Sequence, residues 1–124
     1  MNDSLKILPA RFFRTGSGSE PVREWLKVLD RDDSRIIGGD IRTVEYGWPI
    51  GMPVCRPIEG YKNLWEVRSH LSYGRIARVI FHINGGEMIL LHGFIKKTQQ
   101  TPQQDLELAD RRRREYDSNA RKSQ

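Results

Sequence analysis

Hydrophobic residues recur with two periods along the chain, one typical of helices and one typical of strands. A helical period begins after Pro21, a residue suited to the first turn of a helix, with Ser19 as a candidate N-cap. Its apolar members lie three or four positions apart: Val22, Trp25, Leu26 and Leu29. The preceding segment, residues 5–13, is predicted to be a strand that Pro9 restricts to a sheet edge or a bulge.

A second helix is predicted over residues 32–46, with an apolar stripe of Ile37, Ile41 and Val44. Asp32 and Asp33 suit its first turn, because carboxylates there interact favourably with the helix dipole. Gly38 and Gly39 lie in its interior, where each glycine costs about 1 kcal/mol relative to alanine. Such a pair could instead allow another element to approach closely.

The second half of the chain predicts an antiparallel meander of three strands. Residues 64–71 alternate, residues 75–83 are rich in Ile, Val and Phe, and residues 87–95 follow the hairpin turn Asn84-Gly85-Gly86. In the first of these strands one face is expected to be buried: Trp65, Val67 and Leu71. The other face is expected to be polar: Glu66, Arg68 and His70. A further short strand is predicted at residues 54–58.

The chain closes with a third helix, for which Thr101 is a candidate cap and Pro102 suits the first position. Leu106 and Ala109 give it a thin apolar face, and its charged last ten or so residues are expected to fray. The order β-α-α-β-β-β-α predicts an α+β fold. In this fold, an antiparallel sheet packs with two N-terminal helices and one C-terminal helix, in a single domain over residues 1–124.

Size and charge narrow the function classes. A chain of 124 residues excludes a Rossmann dehydrogenase or a barrel enzyme. The net charge is +5, and residues 63–124 hold 11 basic and 7 acidic side chains, so nucleic acid is a candidate partner. Cys55 is the single cysteine, no signal-peptide pattern is visible, and no apolar stretch approaches the ~20 residues of a membrane helix. A cytoplasmic location is therefore expected.

Cations on the meander are the main chemical feature: Arg68, Arg75, Arg78, Lys96 and Lys97. Adjacent strands lie about 4.8 Å apart, so side chains on one face of three strands can converge on a single phosphate. Guanidinium groups would stabilise a phosphate under attack by an RNA 2′-hydroxyl, and a histidine or a desolvated lysine could move the protons. No metal or other cofactor is needed for this scheme. The alternative interpretation is an ordinary solvated sheet face.

Three other groups of residues are ambiguous. His70, His82 and His92 lack the spacing of a known metal site. Trp48 could stack on a base or pack in the core, and the arginines at 111–114 could bind phosphate or form a solvated helix face.

Three segments together resemble a known toxin superfamily: Leu64-Trp65-Glu66-Val67-Arg68, Gly74-Arg75-Ile76-Ala77-Arg78-Val79-Ile80-Phe81, and Leu91-His92-Gly93-Phe94-Ile95-Lys96-Lys97-Thr98. They resemble the phage-derived, HigB-like branch of the RelE/ParE superfamily, as do residues 21–26 and 47–53. The resemblance spans about residues 5–116. It implies a RelE-like fold and the toxin of a type II toxin–antitoxin pair. Such a toxin is a metal-independent endoribonuclease, an mRNA interferase that cleaves mRNA in the ribosomal A site and inhibits translation.

The resemblance also implies roles for particular residues. Arg68 and Arg78 match the cationic strand positions, and Lys96 and Lys97 match the basic pair that ends the last strand. Relatives carry a tyrosine or histidine near the end of the sheet as proton carrier, and His92 is the candidate here. The residues expected to contact RNA are Arg75, Glu66 and His70.

The expected partners are the ribosome with its mRNA and a cognate antitoxin of the helix-turn-helix, HigA-like type. The superfamily also contains gyrase poisons with the same fold, so fold alone does not decide the function. The alternatives are a non-catalytic, ParE-like gyrase inhibitor and a nucleic-acid-binding phage-derived protein.

Overall fold

The computed structural model describes residues 5–96 and 102–122, which form a five-stranded sheet and three helices. The elements in chain order are β1 (Ala10–Phe12), α1 (Pro21–Val28), α2 (Arg31–Gly47), β2 (Cys55–Pro57), β3 (Trp65–His70), β4 (Ile76–Asn84), β5 (Glu87–Lys96) and α3 (Gln103–Lys122). The strand order in the sheet is β1-β5-β4-β3-β2. Strands β2 to β5 pair in antiparallel fashion, whereas β1 pairs with β5 in parallel. The predicted α+β fold and its three-stranded meander are confirmed.

The first strand is shorter than predicted because the start of the chain attaches to the end of α2 instead of to the sheet. The backbone amides of Ile7 and Leu8 donate to the carbonyl oxygen of Glu45 at 2.9 and 3.0 Å. The Glu45 carboxylate pairs with Lys6 at 3.1 Å and accepts a hydrogen bond from the Ala10 amide at 2.7 Å. Strand β1 lies at a sheet edge, as Pro9 predicted.

One face of the sheet packs against α1 and α2 and is almost entirely apolar. The predicted stripe of α2 is buried there, and Val22, Trp25, Leu26 and Leu29 of the first helical stripe join the same core. A β-carbon placed on Gly93 of β5 would collide with the indole ring of Trp25, so glycine is what lets α1 approach β5. The close approach suggested for Gly38 and Gly39 is wrong, because nothing lies within 4 Å of a β-carbon at either position.

The caps of the first helix also differ from the prediction. The N-cap of α1 is Glu20, which makes no side-chain capping bond. Ser19 instead shares a hydrogen bond with the hydroxyl of Thr15 at 2.8 Å and belongs to the preceding turn. Thr101, the candidate cap of α3, lies outside the described residues.

The other face of the sheet packs against α3 through Leu106 and Ala109, which contact a second core that includes Ile80, Ile89 and Leu91. Helix α3 continues to Lys122, through the segment predicted to fray. Its far end is fastened to the sheet, because Asp117 accepts a hydrogen bond from Asn84 at 3.0 Å and pairs with His82 at 3.2 Å. No helix within residues 5–96 and 102–122 has the length and apolar character needed to cross a membrane.

Candidate active site

Six of the predicted site residues lie in three rows across the face of the sheet that α3 covers. The register of β3, β4 and β5 gives the rows Glu66–Ile80–His92, Arg68–Arg78–Phe94 and His70–Ile76–Lys96. Residues two positions apart on a strand share a face, so all of these residues lie on the same side as Ile80 and Phe94 of the second core. The pairing of β3, β4 and β5, which are joined by short turns, therefore brings together polar residues that are up to 30 positions apart in sequence.

A single carboxylate stands at the centre of this site and contacts three arginines. Glu66 accepts hydrogen bonds from Arg78 Nη1 at 3.1 Å and from Arg56 Nε at 2.5 Å, both at Oε2. Arg68 Nε lies 3.8 Å from the same oxygen. We call these four residues, Glu66 with Arg56, Arg68 and Arg78, the arginine cluster.

The cluster is graded from the interior to the surface. Glu66 and Arg78 are fully buried, Arg68 is 9% exposed and Arg56 is 37% exposed. The alternative interpretation, an ordinary solvated sheet face, is therefore wrong at residues 66 and 68. Opposite charges allow these side chains to be buried, because each charge keeps hydrogen-bonding partners after it leaves water.

Arg56 is a member of the cluster that the sequence did not identify. It lies on β2, directly opposite Glu66 in the β2–β3 register. The short strand at residues 54–58 was visible in the sequence, but its register against β3 was not.

The electrostatics of the cluster are dominated by its excess of cations. Burial, together with the nearby guanidiniums of Arg78 and Arg56, lowers the pKa of Arg68. Burial and then the charge of Glu66 raise the pKa of the Cys55 thiol to about 11, so this cysteine is a neutral core residue. One carboxylate facing three guanidiniums leaves the cluster positively charged, which suits a phosphate.

His92 is held by an acidic residue in the first turn of α3. Its Nε2 lies 2.6 Å from Oδ1 of Asp105, and its ring stacks on Phe94 with the centroids 5.4 Å apart. Burial lowers the pKa of His92, against the opposing effect of Asp105. A neutral imidazole that donates from Nε2 to Asp105 keeps Nδ1 as a proton acceptor.

The basic pair at the end of β5 is only partly described. Lys96 is half-buried and lies in the same row as the exposed His70, with Ile76 between them. Lys97 lies outside the described residues.

Arg75 is separated from the arginine cluster by its partner. Its guanidinium makes a bidentate pair with Asp33 of α2, with N–O distances of 2.9 and 3.0 Å. This pairing lowers the pKa of Asp33 and raises that of Arg75. The contact attaches the β3–β4 turn to α2. The predicted contact of Arg75 with RNA stays a prediction.

Trp48 and most of the arginines at 111–114, which the sequence left ambiguous, make contacts within the fold. Trp48 packs edge-on against Trp65, with the ring centroids 5.0 Å apart, so its place is in the core. Three of the four arginines at 111–114 are engaged, since Arg112 donates to the Leu91 carbonyl at 2.7 Å and Arg113 and Arg114 pair with Asp110. Across the described ranges, no three histidine, cysteine or acidic side chains converge as a metal site would require.

No curated protein sequence matches the chain. Residues 24–114 match the family described as phage-derived protein Gp49-like (DUF891). The matched stretch contains the whole arginine cluster, His92 and Asp105, and it covers well over half of the chain. The chain therefore belongs to the Gp49-like family of phage-derived proteins.

Proposed function

We propose that this protein is the toxin of a type II toxin–antitoxin pair and acts as a HigB-like, ribosome-dependent mRNA endoribonuclease that needs no metal. Membership of the Gp49-like family supports a toxin of the general RelE/HigB kind. The observation that carries the proposal is the arginine cluster. It gathers three guanidiniums around one carboxylate, on the sheet face that also holds Lys96 and the His92–Asp105 pair.

The proposed reaction uses the nucleophile that RNA carries. The 2′-oxygen attacks the adjacent phosphorus in line while the bond from phosphorus to the 5′-oxygen breaks, giving a 2′,3′-cyclic phosphate and a 5′-hydroxyl. The proton of the 2′-hydroxyl passes to a base, and the leaving 5′-oxygen receives a proton from an acid. The enzyme must therefore orient the phosphate, stabilise its growing negative charge and move two protons.

The graded burial of the cluster assigns different roles to its arginines. Arg68 and Arg56, which retain exposed surface, are the guanidiniums proposed to hydrogen-bond the phosphate. Arg78 is enclosed and acts as a positioning residue that holds the Glu66 carboxylate in place. Glu66 in turn fixes the planes of the guanidiniums before substrate arrives, which is the condition for effective electrostatic catalysis.

Lys96 and Lys97 are proposed to extend the cationic surface along the RNA backbone, and His92 to act as the proton carrier. Burial lowers the pKa of His92, which favours the neutral ring that can accept the 2′-hydroxyl proton. Asp105 keeps the ring in one orientation. The proposed antitoxin, a helix-turn-helix protein of the HigA-like type, would neutralise the toxin by covering these cations.

Primer extension on an mRNA in a purified translation system tests the proposal, with ribosomes present or omitted. Cuts within codons that require ribosomes are expected. Cuts without ribosomes would contradict the ribosome-dependent mechanism. A folded protein that cuts no RNA but inhibits DNA supercoiling by purified gyrase would replace the proposal with the ParE-like alternative.

A further inference from the structure

A groove runs from α2 to the edge of β3, beside the arginine cluster. It has a volume of about 260 Å³ and is lined by Ile36, Asp40, Pro53, Val54, Arg68 and His70. Strand β2 begins at Cys55, opposite Val67, and the residue before it accepts a hydrogen bond at its Val54 carbonyl from the backbone amide of Arg68 at 2.8 Å. The groove therefore opens beyond the start of β2, next to the proposed phosphate site.

Two polar side chains in this groove have no partner among the described residues. Asp40 and His70 make neither a hydrogen bond nor an ion pair with any residue in 5–96 or 102–122. Asp40, which is half-buried, differs in this respect from the buried carboxylates of the same helix, since Asp33 pairs with Arg75 and Glu45 with Lys6. A carboxylate kept unpaired in a concave site is available to a ligand.

The size and walls of the groove suit a single nucleobase. Its volume lies below the roughly 300–1,000 Å³ of pockets that hold drug-sized ligands. Apolar surface for the face of a planar ring is provided by Ile36, Pro53 and Val54. Arg68, which also lines the groove, belongs to the arginine cluster proposed to bind the phosphate.

The carboxylate of Asp40 selects among the four bases by its hydrogen-bonding chemistry. A carboxylate offers only acceptors. Guanine presents two adjacent donors on its Watson–Crick edge, the ring N1–H and the exocyclic amino group. Adenine and cytosine place a donor beside an acceptor on that edge, and uracil places its single donor between two acceptors, so each would set an acceptor against the carboxylate.

We propose that this groove binds one unpaired guanine of the RNA substrate and that Asp40 is the residue that determines this preference. The inference rests on the proposed function, because the base is supplied by the single-stranded RNA held at the arginine cluster. His70 and Arg68 then contact the ribose-phosphate part of the same nucleotide, without regard to the base.

Nucleotide binding to the full chain tests this site without requiring cleavage. Nuclear magnetic resonance titrations would compare the 5′-monophosphates of guanosine, adenosine, cytidine and uridine. We expect guanosine monophosphate to bind most tightly and to shift the amide signals of Ile36, Asp40, Val54 and His70. Asp40→Asn sets an amide donor against the guanine donors. It should weaken the binding of guanosine monophosphate by about tenfold and change the affinities for the other three nucleotides little.

Asp32→Asn is the matched control, since Asp32 lies on the same helix, is 82% exposed and pairs with the exposed Arg35. It should leave all four affinities unchanged. Equal affinities for the four nucleotides, or equal effects of Asp40→Asn and Asp32→Asn on guanosine monophosphate, would overturn the guanine site.

Cleavage maps separate this inference from the proposed function. If the wild-type protein cleaves mRNA on ribosomes with guanine enriched at one position of the cut codon, Asp40→Asn should abolish that enrichment. Cleavage whose base preference is the same in both proteins would overturn the groove and leave the nuclease intact. If the protein cleaves no RNA but the titrations still show an Asp40-dependent preference for guanosine monophosphate, the guanine site stands and the nuclease proposal falls.

Discussion

The two faces of the sheet are built by different chemistry. The face against α1 and α2 is filled mainly by aliphatic and aromatic side chains, whereas the face against α3 combines an apolar centre with buried polar side chains at both ends. At one end lies the arginine cluster, and at the other lies His82 with Asp117. The arginine cluster includes Arg56 from β2, and His82 pairs with Asp117 from α3.

This difference shows where stability and chemistry reside in a small domain. Apolar burial stabilises at roughly 25 cal/mol per Å², whereas a buried charge that is left without any partner is strongly destabilising. A domain with one almost entirely apolar face can therefore keep a cluster of like charges on the other. The same contrast predicts that substitutions on the two faces will have different consequences.

Removing the central carboxylate should have the largest effect. Glu66→Ala leaves the guanidiniums of Arg78 and Arg68 without the carboxylate they share, and the loss of one partner of a buried ion pair costs about 3–5 kcal/mol of unfolding free energy. Urea denaturation measures the change. Glu59→Ala, an exposed change in the neighbouring loop, should cost less than about 0.5 kcal/mol. Similar midpoints for the two variants would contradict the central role of Glu66.

On the apolar face, Ile37→Ala should lower the free energy of unfolding by about 2–5 kcal/mol, because Ile37 is fully buried between α2 and the sheet. It should leave the pattern of RNA cuts unchanged in the fraction that remains folded. Denaturation and cleavage mapping on the same preparation measure both effects. An altered cleavage pattern would mean that the two faces are not separable.

Gly93→Ala should cost about 1–3 kcal/mol, the usual range for overpacking a core. The added methyl group meets the ring of Trp25, which packs over β5 from α1. Thermal denaturation measures the loss, and the double variant Gly93→Ala with Trp25→Leu should recover part of it. Gly38→Ala is the matched control, because its methyl group enters open space on a helix and should stabilise slightly.

The smallest expected effect is on the pH dependence of stability. His82 is fully buried beside Asp117, Asn84, Arg113 and Tyr116, and burial lowers its pKa below 6.5 despite Asp117. The unfolded chain therefore binds a proton more readily than the native protein, so stability should fall as the pH drops through about 6.5 towards the native pKa. His92 acts in the same direction, and Asp33 adds a loss only at more acidic pH.

Thermal melts between pH 7.5 and pH 5 give the unfolding midpoint as a function of pH. Nuclear magnetic resonance titration of the histidine ring protons over the same range shows which histidine is protonated. His82→Gln should reduce the slope of midpoint against pH. A ring titration of His82 above its ordinary value would contradict the dominance of burial.

The elements of the fold could be predicted because their signals are local. The apolar stripe at Ile37, Ile41 and Val44 and the hairpin turn at residues 84–86 are each contained in a few consecutive residues. The register of strands joined by short turns then placed Arg68, Arg78 and Lys96 on one face.

The composition of the site could be predicted only in part, because it depends on contacts distant in sequence. Arg56 and Glu66 meet through the register of a three-residue strand, which no local pattern specifies. The bidentate contact of Arg75 with Asp33 joins positions 42 residues apart, and no local pattern in the sequence marks it. Burial of Glu66 and Arg78 likewise reflects mutual pairing rather than hydropathy.

The most direct test of the proposed site is the single-turnover cleavage rate of Arg68→Ala on ribosome-bound mRNA, measured together with its unfolding midpoint. Arg35→Ala, on the exposed side of α2, serves as the charge-matched control. Glu66 keeps Arg56 and Arg78 as partners in Arg68→Ala, so the midpoint should stay close to wild type while cleavage slows by about a hundredfold or more, as for loss of one preorganised donor. Wild-type cleavage by Arg68→Ala, or a loss that Arg35→Ala shares, would contradict catalysis by the arginine cluster.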